Sequence, residues 1–345
     1  MLLGCRVVGS RVCVVSSVDG GVTWLDRGVV SEAKAGEIYG DATLLYCTPT
    51  LLLCAFRIEG SLQQNGFAWQ VVVCQSADGG KTWTFDSVVD TSQGPFIGAP
   101  CLLLRRAASE LHVYYDNEKA AKDAGYSGYQ WLSLRRKPLG SGRAWAPPTS
   151  VLDAPTREAV AKGEHLGLLR DGMASVVACT TSTGTSSPSS DALLVVSEGV
   201  DPASPHRNRI YAHVSHDGGL SWTARMIVYE GKAAPDGSRY NAYCPNAVVR
   251  TADGTVAVAL CTDEDFAPPP DQSSTPPAER RAGVKLTCSM GTLEEWSVGE
   301  RVVDPSQPAP EPRAYCPGLV EVPGGRMLCT VDRLDGTAQL LVRVS

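Results

Sequence analysis

The segment Ser76-Ala-Asp-Gly-Gly-Lys-Thr-Trp83 recurs almost unchanged at two other places in the chain. The other copies are Ser17-Val-Asp-Gly-Gly-Val-Thr-Trp24 and Ser215-His-Asp-Gly-Gly-Leu-Ser-Trp222, so all three follow the pattern SxDxGxxW. A degenerate copy, SMGTLEEW, occupies 289–296, and a weaker one ends at Trp145. Asp and Gly in such a run predict a tight turn in which Asp binds its own backbone and Trp packs beside it. Repetition of the turn indicates a repeat architecture.

A second repeat, two apolar runs joined by a short turn, lies between the copies of the first. It occupies 41–57, 99–116, 163–182, 244–265 and 316–332. Each copy predicts a pair of short β-strands, because the runs are rich in Val and Leu and are separated by turn residues. Cysteines recur near the end of the second run, which predicts one shared buried position filled by a small apolar side chain. They are Cys54, Cys179, Cys261 and Cys329.

Strand pairs that alternate with turns predict an all-β fold, since segments of helical periodicity are nearly absent. We expect a single domain over residues 1–345: a six-bladed β-propeller whose four-stranded antiparallel blades carry strands A to D. The chain opens near the end of the first blade and ends at strand C of the last, so we expect either that the two termini complete one blade together or that the N-terminal blade is incomplete. The Ser/Thr-rich segment 182–190 and the Pro-rich segment 267–283 predict mobile surface insertions.

The composition narrows the classes of partner. A formal net charge of −6 gives no electrostatic reason to expect nucleic acid or an anionic membrane as a partner. No apolar run is long enough to cross a bilayer, and the N-terminal segment predicts a strand rather than a signal peptide. The 12 cysteines form no CxxC pair, and no HExxH or phosphate-loop motif occurs. We therefore expect a monomer with no metal and no cofactor, and the compartment stays open.

SxDxGxxW turns spaced along a predicted propeller resemble the Asp boxes of the sialidase superfamily of glycoside hydrolases, and the resemblance covers nearly the whole chain. The phrases LLCAFR, LHVYYDNE, TREA and NAYCPNAVV look closest to exo-arabinanases, whereas GEHLGLL and RAYCPGLVEVPGG look more like sialidases proper. The resemblance implies an exo-acting, retaining glycoside hydrolase that needs no cofactor and cleaves terminal sugars from a carbohydrate substrate.

The order of the strands predicts where a site lies. The SxDxGxxW turn joins strands C and D, so it lies at the opposite end of the blade from the end of strand B and the start of strand A. The predicted ends of strand B are Arg57, Asp116, Ser182, Glu264 and Asp332. The predicted starts of strand A are Asp41, Glu164, Tyr243 and Tyr315, with Glu158, Arg239 and Arg313 close by. From these, the candidate substrate-binding residues are Arg57, Asp116, Arg239, Tyr243, Arg313 and Asp332.

The two branches imply different catalytic residues. By resemblance to exo-arabinanases, Glu158 would be the acid/base and Glu264 the nucleophile, with their carboxyl groups roughly 5–5.5 Å apart for retention. The chain reads REAVAKG where that branch has a phrase like REGMP, so Glu164 competes with Glu158 for the acid/base role.

By resemblance to sialidases, Tyr315 would be the nucleophile, Glu164 would accept its proton and Asp41 would be the general acid. Arg57, Arg239 and Arg313 would then bind a substrate carboxylate through their planar guanidinium groups. The alternative to both enzymes is a catalytically eroded propeller that binds glycans or proteins. It is favoured by the departures from the family phrases.

Overall fold

The computed structural model of the protein describes residues 1–62, 66–140, 142–164, 167–180, 191–201, 204–233, 239–265, 283–302, 314–333 and 336–342. These residues form antiparallel β-strands with two short helices, α1 (Glu118–Asp123) and α2 (Ala154–Lys162). No helix in these ranges has the length and apolar character that crossing a bilayer requires. Both predicted insertions, 182–190 and 267–283, fall almost wholly outside the described residues.

The chain divides into two compact units, Met1–Leu166 and Gly167–Ser345. The first contains three sheets. Sheet 1 is made of β1 (Leu2–Val8), β2 (Arg11–Ser17) and β3 (Leu25–Glu32). Sheet 2 is made of β4 (Glu37–Tyr46), β5 (Leu52–Gly60), β6 (Trp69–Ser76) and β7 (Thr84–Ser92). Sheet 3 is made of β8 (Ile97–Arg105), β9 (Glu110–Asn117), β10 (Trp131–Pro138) and β11 (Thr149–Ser150).

The second unit contains three more sheets. Sheet 4 is made of β12 (Asp171–Thr180), β13 (Asp191–Asp201), β14 (Ser204–Ser215) and β15 (Met226–Tyr229). Sheet 5 is made of β16 (Ala242–Val249), β17 (Val256–Thr262), β18 (Gly283–Cys288) and β19 (Glu300–Arg301). Sheet 6 is made of β20 (Ala314–Val322), β21 (Arg326–Arg333) and β22 (Gly336–Val342).

The predicted all-β class and the four-stranded antiparallel sheets are confirmed. The predicted propeller of six four-stranded blades is not borne out, because the described residues form only four sheets of four strands, with two further sheets of three. The SxDxGxxW turn of sheet 1 joins its last two strands, so its three strands correspond to strands B, C and D. Sheet 6 ends at its third strand. An incomplete N-terminal blade was predicted; among the described residues, sheets 1 and 6 each have three strands.

Neighbouring sheets within each unit pack face to face. The first five residues of β5 are apolar and buried on both faces, and all seven side chains of β17 are buried. One core lies between sheets 2 and 3, where Ala55 and Val71 meet Ile97 and Val113. Equivalent cores join sheets 1 and 2, sheets 4 and 5, and sheets 5 and 6. Burial of both faces explains why these strands read as continuous apolar runs rather than as alternating patterns.

The SxDxGxxW turn forms the hydrogen bonds that its sequence predicts. Ser76 Oγ donates to Asp78 Oδ1 (2.8 Å) and accepts from Gly80 N (2.8 Å), while Asp78 Oδ1 accepts from Thr82 N (3.0 Å). Trp83 Nε1 donates to the carbonyl oxygen of Gly80 (3.1 Å). Positive φ angles of 74° at Gly79 and 92° at Gly80 explain the consecutive glycines.

The same turn is tied to the hairpin between the first two strands of its sheet, because Gly79 N donates to Thr50 O (2.9 Å). It therefore lies at the opposite end of sheet 2 from the end of β5, as predicted. The degenerate copy keeps one of its bonds, since Trp296 Nε1 donates to Leu293 O (3.1 Å). Trp145 differs, because its Nε1 donates to Ser87 Oγ (3.0 Å).

Candidate active site

A β-bulge interrupts the first strand of each of sheets 2 to 6 at the same place. At each bulge a non-glycine residue adopts a positive φ between 43° and 55°. These residues are Asp41, Ala99, Met173, Cys244 and Cys316. Left-handed backbone at non-glycine residues is strained, and such strain concentrates at functional sites. The repeated bulge therefore marks the end of each sheet where a site is to be sought.

The residue opposite each bulge, on the second strand, gives a matched series. It pairs with the residue just before the bulge, and its members are Arg57, Asp116, Glu198, Cys261 and Asp332. Arg57, Asp116 and Asp332 were predicted as equivalent, and their register confirms the equivalence. Glu264 lies three residues beyond the matched position in sheet 5, which Cys261 occupies. Ser182 lies outside the described residues.

The positions of the first two strands of sheet 4 explain why Glu198 was not predicted from the sequence. The segment 163–182 was predicted to hold two strands, but its apolar part forms only the first strand, β12, and the second is β13. Cys179 is therefore on a first strand, unlike Cys54 and Cys329, which share one position on second strands. The predicted equivalence of the four cysteines was wrong. The run LLVV before Ser197-Glu198 is the signal that could have located this strand.

In the first unit, Asp41 and Arg57 form an ion pair, with Arg57 Nε 2.6 Å from Asp41 Oδ2. The same Asp41 oxygen accepts from Ala99 N (3.3 Å), and Arg57 Nη1 lies 3.5 Å from Glu59 Oε2. The Arg57 guanidinium also lies 5.3 Å from the ring centre of Trp69 and 5.7 Å from that of Phe96. An arginine held between carboxylates and aromatic faces has a fixed orientation.

The Arg57 side chain fits against Gly40 and Gly98 because neither glycine carries a Cβ atom. A Cβ atom on Gly40 would collide with the Arg57 guanidinium, and one on Gly98 would lie 2.6 Å from Arg57 Cδ. Gly98 precedes the bulge of sheet 3 and Gly40 that of sheet 2, so both sheets are shaped around this one side chain. Asp116 is paired with Gly98 on the next strand, where it is buried and accepts from Gln130 Nε2 (3.3 Å).

The two predicted acid/base candidates of the first unit are exposed. Glu158 lies on α2 and forms an i,i+4 ion pair with Lys162 (2.7 Å), with 68% of its side chain exposed. Glu164 follows the helix, and its backbone carbonyl accepts from Tyr126 Oη (2.7 Å). Neither carboxylate lies in the desolvated surroundings expected of a general acid in a glycosidase.

In the second unit, hydrogen bonds connect two carboxyl groups on adjacent sheets. Glu198 Oε1 accepts from Asn208 Nδ2 (3.5 Å), and Asn208 N donates to Asn241 Oδ1 (3.1 Å). Asn241 in turn donates to both oxygens of Asp263, from its backbone N (2.7 Å) and from Nδ2 (3.2 Å). Glu198 Oε2 also accepts from Cys244 N (2.8 Å), the strained residue of the next bulge.

Burial raises the pKa of both carboxyl groups. Desolvation raises the pKa of Glu198, and the single bond from Cys244 N opposes it only in part. Desolvation likewise raises the pKa of Asp263, against the bonds from Asn241 and the charge of Arg207, whose Nη1 lies 3.9 Å away. A half-buried carboxyl with a raised pKa stays protonated to higher pH, which is the property of a general acid.

The pKa of Glu264 is lowered, in contrast to those of Glu198 and Asp263. Its side chain is 1% exposed, and it forms a buried ion pair with Lys285 Nζ and accepts from Lys232 N (2.9 Å). Burial alone would raise its pKa, but Lys285, Lys232 N and the Tyr229 hydroxyl together lower it. Glu264 is therefore an ionised carboxylate in a desolvated place, next in sequence to Asp263.

The structure describes some of the remaining predicted residues with their side chains, some by their backbone alone and one not at all. Arg239 Nη1 pairs with Glu230 Oε2 (3.0 Å) and donates to Gly231 O (3.1 Å), and Tyr243 directly precedes the bulge of sheet 5. Tyr315 and Asp332 are opposed on β20 and β21, where only their backbone is described. Arg313 lies outside the described residues. In the second unit hydrogen bonds thus link Glu198 to Asp263, which directly precedes Glu264; of these three residues only Glu264 was predicted.

Solved structures of similar fold include glycoside hydrolases. A variant of the α-L-arabinofuranosidase from Fusarium graminearum, in complex with an iminosugar inhibitor, superposes with a TM-score of 0.65 at 15% identity, covering 96% of this chain and 85% of its own. The GH93 α-L-arabinofuranosidase of the same fungus with arabinobiose gives 0.63 at 16% identity, covering 96% and 85%. The Penicillium chrysogenum α-L-arabinanase with arabinobiose gives 0.60 at 16% identity, covering 97% and 85%.

The fold is an all-β propeller with four-stranded antiparallel blades. No protein-family model matches the sequence, and no curated protein matches it significantly. The similar solved structures named above are an α-L-arabinofuranosidase and an α-L-arabinanase. At these identities the likeness is one of fold, so the activity has to be argued from the site.

Proposed function

We propose that the protein is an exo-acting, retaining glycoside hydrolase that removes terminal α-L-arabinofuranosyl residues, with Glu198 as general acid/base and Glu264 as nucleophile. The observation that supports it best is the pair of opposite shifts: the pKa of Glu198 is raised and that of Glu264 is lowered. Glycosidases generally use two carboxyl groups in opposite protonation states.

Each role follows from the contacts of the residue. Glu198 is half-buried and receives one backbone hydrogen bond, so its proton is available to a leaving glycosidic oxygen. Glu264 is kept ionised by Lys285, so it can attack the anomeric carbon of the sugar. In the second step Glu198, now a carboxylate, takes a proton from the water that cleaves the glycosyl–Glu264 ester.

The hydrogen-bonded chain Asp263–Asn241–Asn208 fixes the Glu198 carboxyl relative to that of Glu264. Asp263 orients Asn241 by accepting hydrogen bonds from its backbone N–H and its side-chain amide. The side-chain amide of Asn208 donates to Glu198. Because Asp263 and Glu264 are consecutive, the backbone that carries the nucleophile is tied to the acid through these amides. Asp263 is a positioning residue in this scheme.

The decisive experiment compares substrates that differ in leaving group. Wild-type protein, Glu198→Gln and Glu264→Gln are assayed on 2,4-dinitrophenyl and 4-nitrophenyl α-L-arabinofuranosides and on arabinobiose. Glu198→Gln should lose about 10²–10⁴-fold on arabinobiose and far less on the dinitrophenyl substrate, whose leaving group needs no proton. Glu264→Gln should lose activity on all three. Retention is read from the anomer first formed, by proton NMR.

A fluorogenic sialoside and Tyr315→Phe test the sialidase branch. Turnover of the sialoside that depends on Tyr315, with no arabinoside hydrolysis, would overturn the proposal. Binding of arabinobiose without turnover of any substrate would indicate the eroded, glycan-binding propeller instead.

A further inference from the structure

Two cysteines face each other across sheets 5 and 6. Cys244 Sγ lies 3.4 Å from Cys316 Sγ, with Cys244 half-buried and Cys316 exposed. Both belong to the phrase Ala-Tyr-Cys-Pro, which the chain repeats at 242–245 and 314–317. Both are the strained bulge residues of their first strands, with φ of 50° and 45°. The contact therefore arises from one structural position used twice, on neighbouring sheets.

The two strands are fixed beside this contact. Leu319 N donates to Asn246 Oδ1 (3.1 Å), which ties β20 to β16 two to three residues beyond the cysteines. Further along the strands, Thr251 N donates to Glu321 Oε2 (2.8 Å). A disulfide has an S–S distance of about 2.05 Å, so the sulfurs need to approach by about 1.4 Å, within reach of side-chain rotation. The backbone already holds the thiols in position.

We propose that Cys244 and Cys316 form a redox modification site, a dithiol that hydrogen peroxide converts reversibly into a disulfide linking the first strands of sheets 5 and 6. The Cys316 sulfur attacks the O–O bond of the peroxide, which gives a sulfenic acid and releases water. The Cys244 sulfur then attacks the sulfenic sulfur, forming the S–S bond and releasing a second water. Two thiols and one peroxide thus give one disulfide and two waters.

The order of these steps follows from the surroundings. Cys316 is exposed, so a peroxide reaches it directly. The hydrogen bond with Cys316, together with burial, raises the pKa of the Cys244 thiol, which suits a resolving cysteine better than a first target. The proposal uses neither substrate nor catalysis, so it stands or falls independently of the proposed function.

The chain offers a clean assay. Cleavage after arginine gives peptide 240–250 with Cys244 as its single cysteine, and peptide 314–326 with Cys316 as its single cysteine. The reduced full-length protein is treated with hydrogen peroxide in small stoichiometric steps, blocked with N-ethylmaleimide, digested with trypsin and analysed by mass spectrometry. The expected product is the two peptides joined and lighter by two hydrogens, formed first among all linkages and removed by phosphine reduction.

Variants separate this site from general oxidation. Cys316→Ser and Cys244→Ala should each abolish the linkage, whereas Cys288→Ser, on the third strand of sheet 5, should leave it intact. Oxidised wild-type protein should melt higher than reduced protein by roughly 5 °C, because a long loop is closed, and Cys316→Ser should lose that difference. Peroxide that converts Cys316 to a sulfinic acid without linkage, or that links another pair such as Cys5 and Cys54 first, would overturn the proposal.

Discussion

Glu198 Oε2 accepts a 2.8 Å hydrogen bond from the backbone N–H of Cys244, so the strained bulge of one sheet contacts the carboxyl group of the sheet before it. The N–H of Cys244 leaves its own ladder at the bulge and becomes available to the neighbouring sheet. The strained backbone at Cys244 thus helps to orient the Glu198 carboxyl group. This contact connects the repeated backbone feature to the residue that we assign as general acid.

The first prediction concerns Glu198 itself. Glu198→Gln keeps the shape and the contact with Cys244 N but cannot donate a proton as an acid, so kcat/KM on arabinobiose should fall by about 10²–10⁴-fold. The melting temperature should change little, because no charge is buried or exposed. Steady-state kinetics and thermal melting measure both. Glu294→Gln, an exposed residue of the degenerate turn, is the control and should behave as wild type. Equal loss in both variants would refute the assignment.

The pH–rate profile should be bell-shaped and wide. Glu264 must be ionised, and its lowered pKa places the rising limb below the ordinary glutamate value of about 4.3. Glu198 must be protonated, and its raised pKa places the falling limb above that value, so activity is present at lower pH and lost as pH rises through it. Measurement of kcat/KM on the 4-nitrophenyl substrate tests this. A single-limbed profile, or a falling limb that persists in Glu198→Gln, would contradict the roles.

Gly98 should be intolerant of any side chain. In Gly98→Ala the new Cβ would lie 2.5 Å from Phe96 Cζ and 2.6 Å from Arg57 Cδ, so the arginine has to leave its place between Asp41 and the aromatic rings. We expect about 1–3 kcal/mol lower stability by chemical denaturation. Gly94→Ala is the matched control, because nothing lies within 4 Å of its added Cβ. Similar stability of the two variants would show that Arg57 is not confined as described.

Lys285 should be a strong determinant of stability. Lys285→Met leaves the buried Glu264 carboxylate without its cation, which should cost about 3–5 kcal/mol at neutral pH. Because the native pKa of Glu264 is lowered, the pair stabilises the fold above the unfolded pKa and loses that contribution as pH falls through the native one. The deficit of the variant should therefore shrink in acid. Lys232→Met, with an ammonium group on a 67% exposed side chain, should lose little.

The SxDxGxxW turn should contribute to stability at neutral pH and not to catalysis. Burial opposes ionisation of Asp217, but bonds from the Ser221 and Ser215 hydroxyls and from backbone N–H groups lower its pKa to about 2. Its contribution is present above the unfolded value of about 3.9 and is lost as pH falls toward 2. Asp217→Asn should melt lower than wild type at neutral pH, and the difference should narrow in acid. Unchanged kcat is expected, and a large loss of kcat would contradict the placement of the turn.

Part of the fold could be read from the sequence because it rests on local interactions. The hydrogen bonds of Ser76, Asp78 and Trp83 close within eight residues, so their pattern in the sequence is sufficient to predict the turn. The hairpins of sheets 2, 3, 5 and 6 were found for the same reason, since short turns join their first two strands. In sheet 4 a long connection separates β12 from β13, and the strand that carries Glu198 was missed.

The sequence by itself determined the all-β class, the repeated turn and the end of each sheet where charged residues collect, because strand periodicity and turn chemistry act over a few residues. Only the tertiary structure decided that the pKa of Glu198 is raised and that of Glu264 is lowered. It also decided that Arg57 lies against Gly40 and Gly98 and that Cys244 contacts Cys316. Desolvation, ion pairing and contacts between residues up to 72 positions apart depend on which sheets pack together. No local pattern in the chain encodes that packing.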